Sequence, residues 1–184
     1  MKYLKTYESI AHVYIDSVSC HITDFKSFVE LLENPLRLDE NGYNLLNYAI
    51  DEGDYEQVSY LLKKYNFDIN KPDKDNKLPI SHAFNVDIEI VDFLIETGKL
   101  DIKNSYYDGF LFNLVYDEYF ETIIIFLNTY PDYNWKKQHN GKYFFEPIDE
   151  PLEKETLDLF IDEINNKEIV DLIKKKRKIN QFKI

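Results

Sequence analysis

Apolar residues recur along this chain in short blocks with helical spacing, and the blocks come in pairs. Leu45, Leu46, Ala49 and Ile50, and then Val58, Leu61 and Leu62, lie one, three or four apart, as residues lining one face of a helix do. Gly53 separates the two stretches and predicts the break between an inner and an outer helix. Upstream, residues 24–33 carry Phe25, Phe28, Val29, Leu31 and Leu32 on one stripe, with Thr23 as the expected N-cap. Asn34-Pro35 predicts its stop, because proline disfavours helix at the residue before it. Residues 1–20 are ambiguous: Leu4, Tyr7, Ala11, Tyr14, Ile15 and Val18 share a helical face, while Ala11, Val13 and Ile15 alternate as in a strand. Helix is the preferred reading there. Near the end, residues 152–164 and 167–178 read as two helices, with Leu157, Phe160, Ile161 and Ile164, then Ile169, Val170, Leu172 and Ile173, facing inward.

The paired pattern repeats. Residues 39–49 align with residues 73–83 at an offset of 34, and Val58, Leu61, Leu62, Asp68 and Ile69 answer to Val91, Leu94, Ile95, Asp101 and Ile102 at an offset of 33. A period near 33 suits a supersecondary unit that buries its apolar face on its neighbour. Gly42 predicts a tight turn, Asn44 an N-cap, and Pro79 the first turn of a helix, where its missing N–H is harmless. A third copy is read from Ser105, with Asp108-Gly109 as its turn, Leu111, Phe112 and Val115 in its inner helix, and Ile124 and Leu127 in its outer one. A fourth begins at Asn140-Gly141 and breaks at Pro147 and Pro151.

Leu78-Pro79-Ile80-Ser81-His82-Ala83 resembles the Thr-Pro-Leu-His-x-Ala signature of the ankyrin repeat, with Ser81 in the histidine slot and His82 one place late. The resemblance implies an all-α solenoid of stacked helix–turn–helix repeats in a single domain over 1–184. Its parts would be an N-terminal cap (1–38), repeats at 39–72, 73–104 and 105–138, and a degenerate repeat with a C-terminal helical cap (139–184). It also implies partner binding through hairpin tips and the exposed side of the inner helices. By repeat position the tips are Glu40, Asn41 and Tyr43, then Lys74, Asp75 and Lys77, then Tyr107 and Asp108, then Lys142. The inner-helix slot holds Asp51-Glu52 and, in the third copy, Asp117-Glu118, with Asn85 between.

Charge sharpens that expectation. The net charge is −12, and residues 1–173 hold all 34 acids against 16 bases, a balance of −18, leaving six bases in 174–184. Such a body disfavours direct nucleic-acid binding and favours a basic protein partner. The run Lys174-Lys175-Lys176-Arg177-Lys178 fits the end of a helix, where cations meet the negative end of the dipole; a nuclear-localisation or nucleic-acid patch is the alternative. Cys20 is the single cysteine, which excludes an internal disulfide and fits a reducing compartment. No apolar run suits a signal peptide or a membrane span, so a cytoplasmic, monomeric protein is expected.

Catalytic chemistry finds little support. The five glycines all serve turns or helix ends in the repeat reading, and neither nucleotide-binding pattern occurs. His12, His21, His82 and His139 are scattered without zinc spacing, and Cys20 and His21 are sequence neighbours whose side chains diverge. His82 is read as a packing or partner-contact residue. The expectation is a non-enzymatic protein-binding module with no cofactor, metal, small-molecule substrate or membrane partner. A sharper version is an immunity or inhibitor protein that neutralises a basic, nucleic-acid-cleaving toxin; a secreted effector engaging host proteins is the other alternative.

Overall fold

The computed structural model describes residues 22–39, 42–117, 119–134, 138–139, 142–143 and 170–171. Among them are seven helices and one antiparallel pair of two-residue strands, so the fold is α-helical. The helices are α1 (Ile22–Glu30), α2 (Leu45–Asp51), α3 (Tyr55–Lys64), α4 (Pro79–Val86), α5 (Ile88–Glu96), α6 (Tyr106–Tyr116) and α7 (Phe120–Thr129). Strand β1 (Gln138–His139) pairs with β2 (Lys142–Tyr143), His139 standing opposite Lys142. The chain divides into two compact units, Met1–Phe93 and Leu94–Ile184. The expected helices at 1–20, 152–164 and 167–178 lie outside the described residues, apart from two helical positions at 170–171. So do Cys20, His21 and the basic run.

In the first unit, α2 packs against both α3 and α4, and α1 against α3. The start of α2 is fixed as its sequence predicts. The Asn44 side-chain oxygen accepts from Leu46 N at 2.9 Å and Asn47 N at 3.2 Å, while Asn47 Oδ1 accepts from Asn44 N at 3.1 Å. This reciprocal cap contributes about 1 kcal/mol. Leu45, Leu46, Ala49 and Ile50 are buried, as are Val58 and Leu61 on α3 and Ile80 and Ala83 on α4. Gly53 ends α2 with φ +70°, and a Cβ there would meet Val86 Cγ1 at 3.0 Å, so two constraints fall on one residue. Pro79 opens α4 as expected, after Leu78.

Two expectations about α1 fail. Thr23 lies inside the helix rather than capping it, and the helix ends at Glu30 instead of running to residue 33. Starting at Ile22 still puts Phe25 and Val29, one turn apart, into the core. Tight turns follow, from Leu31 N to Phe28 O and from Leu32 N to Val29 O, and they leave Leu31 70 % exposed.

In the second unit α6 packs against α7, and β1 lies against α6. Here the third-copy expectation needs correcting: Asp108 and Gly109 are not a turn but sit in the first half of α6. Tyr107, Phe110, Leu111, Leu114 and Val115 fall at helical spacing, and all five are buried. Their burial outweighs the roughly 1 kcal/mol that a mid-helix glycine costs relative to alanine. Asn104 Oδ1 accepts from Tyr106 N at 3.0 Å and starts the helix, and Asp108 in its first turn favours the positive end of the dipole. On α7 the buried residues are Phe120, Thr122, Ile123, Phe126 and Leu127, so Ile123 takes the place expected for Ile124.

Candidate functional site

The two hairpins of the first unit are built alike at their described positions. Asp39 N donates to Tyr43 O at 2.7 Å, and Asp73 N donates to Lys77 O at 2.9 Å. Each aspartate then uses one carboxylate oxygen on the backbone four residues on: Tyr43 N to Asp39 Oδ1 and Lys77 N to Asp73 Oδ1, both at 2.9 Å. The turn needs a left-handed residue, supplied by Gly42 at φ +81° and by Asn76 at φ +62°. A Cβ on Gly42 would come within 3.4 Å of the Asp73 Cα and Lys74 N, so the first hairpin lies directly against the second.

The second carboxylate oxygen of each aspartate reaches the inner helix that comes after it. Tyr48 Oη donates to Asp39 Oδ2 at 2.6 Å, and His82 Nε2 bonds Asp73 Oδ2 at 2.9 Å. Tyr48 and His82 each stand nine residues after their aspartate. In the second segment the bond from hairpin to inner helix therefore sits at position 82, while the Ser81 hydroxyl donates to Leu78 O of its own helix start, at 2.7 Å.

His82 also bonds across to the preceding helix pair: its Nδ1 lies 3.0 Å from Asp51 Oδ1, at the end of α2. The imidazole thus spans two carboxylates, one at the end of α2 and one in the second hairpin. The Asp73 side chain is only 3 % exposed, and that of Asp51 is 35 % exposed. Tyr43 stands edge-on to the ring, with centroids 5.4 Å apart, and its hydroxyl is 3.4 Å from each ring nitrogen. Burial, then the charges of Asp51 and Asp73, push the Tyr43 hydroxyl up to about 12, so at neutral pH it stays a donor. The bond to Asp51 is the largest influence on His82 and lifts it above the ordinary histidine value; burial opposes it and Asp73 adds to it. Burial pushes Asp73 upward, but the Lys77 N–H and His82 outweigh it and hold the carboxyl below its usual value.

No protein-family model, curated protein or solved structure matches this chain, so its function has to be read from its own side chains.

The structure brings together part of the expected set. Asp51, Glu52, Lys74, Asp75 and Lys77 are exposed around the two hairpins and the end of α2, and Tyr43 is half-buried among them. Asp51, Asp73 and Asp75 all act electrostatically on the Tyr43 hydroxyl. Two expected tip residues are corrected. Tyr107 is fully buried in α6, and Asp108, on the same helix, accepts a hydrogen bond from Tyr133 Oη at 2.5 Å. Both are structural, because α6 starts before the expected turn. Asp117 is an exposed C-cap of α6 in the second unit. Glu40, Asn41 and Glu118 lie outside the described residues, and Lys142 is placed by its backbone alone, on β2. Sequence reasoning passed over His82 as a link and Asp73 as its partner. The signal was the shared nine-residue spacing from Asp39 to Tyr48 and from Asp73 to His82.

Among the described residues no cluster of His, Cys, Asp and Glu is arranged to hold a metal ion, and no helix is long and apolar enough to cross a membrane.

Proposed function

We propose that this chain is a non-enzymatic protein-binding module, built of stacked ankyrin-like helix pairs, that engages a basic protein surface. The contact would be made by Asp51, Glu52 and Asp75, with Tyr43 and the lysine-bearing tip Lys74–Lys77 at its margin. One observation carries this reading. Asp51 is held beside Tyr43 and His82 while Glu52 and Asp75 remain exposed close by, so carboxylates converge on a preordered surface. While His82 is protonated, both of its ring nitrogens donate to carboxylates and offer no lone pair for proton abstraction; this supports binding over catalysis. Ordered charge of one sign steers a partner of the other and makes association salt-sensitive.

The test is retention of partners from the source cell's lysate, eluted with a rising salt gradient. Wild type is expected to hold a basic protein that elutes as salt increases, and Asp51→Lys/Glu52→Lys/Asp75→Lys is expected to lose it. Equal retention by both proteins would sink the reading. The identity of the retained protein would separate an inhibitor of a basic toxin from an adaptor.

A further inference from the structure

A histidine placed between two carboxylates has one protonation state that satisfies both. The imidazolium offers an N–H to each oxygen, whereas neutral imidazole has one N–H and one lone pair. With Asp73 at 2.9 Å from Nε2 and Asp51 at 3.0 Å from Nδ1, loss of the proton must leave a lone pair facing a carboxylate. The two bonds are unequal. Asp73 is buried and tied to the Lys77 backbone, so losing its partner would strand a charge inside the protein. Asp51 is partly exposed at a helix end and can turn to water.

We propose that His82 is a proton-gated clasp: protonated, it pins Asp51 to the second hairpin, and on deprotonation it keeps Asp73 and releases Asp51. The titratable groups around the ring are Asp51 from α2, Tyr43 from the first hairpin and Asp73 from its own hairpin. Tyr48 and Asp39 stand one contact farther off, through the Tyr43–Tyr48 ring pair, and Asp75 acts on Tyr43. Tyr43 remains neutral across the relevant range, so its hydroxyl, which also hydrogen-bonds Asp51, supplies no charge in place of the lost imidazolium. The released Asp51 belongs to the acidic face, so opening the clasp both frees that carboxylate and makes the face one charge more negative. A basic partner would then bind more tightly as pH rises; this consequence rests on the function proposed above, while the clasp itself does not.

A raised histidine sets the sign of the pH dependence. Its contribution to stability is complete below the unfolded value near 6.5 and is lost as pH climbs through the higher folded value. Past that point each pH unit shifts the clasp about tenfold toward its open form.

The experiment is a nitrogen-15 NMR titration of the imidazole in the full chain, with Asp51→Asn and His82→Gln alongside. The expected results are a His82 titration above 6.5, its lowering in Asp51→Asn, and a neutral tautomer with the proton on Nε2, facing Asp73. Thermal stability should fall across the same pH window in wild type and not in His82→Gln. A titration at or below 6.5, or a neutral tautomer with the proton on Nδ1, would overturn the proposal. If Asp51→Asn does not fold, the wild-type tautomer decides alone. Because the titration uses no partner, failure here leaves the binding reading standing, and failure to bind leaves the clasp standing.

Discussion

Replacing Tyr107 by alanine is expected to destabilise the second unit by about 3–5 kcal/mol, the range for emptying a buried aromatic site. Tyr107 is fully buried on α6, with its ring edge-on to those of Tyr106 and Phe110 at 5.5 and 6.4 Å. Truncation leaves a cavity that the helix cannot close, because Phe110, Leu111, Leu114 and Val115 hold it along the same buried stripe. Tyr116, on the same helix but 71 % exposed, is the control, and its alanine variant should stay within about 0.5 kcal/mol of wild type. Denaturant midpoints measured at constant slope give the comparison. A Tyr107→Ala change as small as that of Tyr116→Ala would return Tyr107 to a hairpin tip and undo the assignment of α6.

The second large effect separates acids that hold the hairpin from acids free to bind. Asp73→Ala removes the acceptor of the Lys77 N–H and the partner of His82 Nε2 together, at a side chain 3 % exposed. The expected loss is about 2–4 kcal/mol, since the Lys77 N–H and the part-buried His82 ring lose their partner together. Asp39→Ala should cost less: it breaks the corresponding bonds to Tyr43 N and Tyr48 Oη, but the hydroxyl it abandons cannot become a cation, as the His82 ring can. Asp75→Ala, exposed at the tip, should move stability by no more than about 0.5 kcal/mol. Thermal melts of the three variants check the order. If Asp75→Ala proves as costly as Asp73→Ala, Asp75 is structural and drops out of the binding face.

The sequence was most legible where local chemistry and periodicity agreed. Asn44, Gly42, Gly53 and Pro79 all do what their residue types favour, and the buried faces of α2 and α4 follow the helical spacing around them. It misled where two local signals conflicted. Asp108-Gly109 reads as a turn in isolation, but the 107/110/111/114/115 stripe buries more than a turn could save. Thr23 is a good cap residue that the start of α1 at Ile22 leaves inside the helix. The clasp was hard to read for another reason. His82 differs from the residues around it only through bonds to Asp51 and Asp73, 31 and nine positions earlier, and no local propensity records such a link. Comparing His82 with Tyr48 at the same repeat position, instead of with the displaced histidine of the signature, would have exposed half of it.

Hydrogen exchange on the complex with the retained basic protein tests the binding face most directly. Protection is expected at residues 43–52 and 73–77, fading as salt is raised, with the outer helix α3 unchanged. Protection confined to α3 or to the 94–184 unit, with both hairpins exchanging as in the free chain, would contradict it.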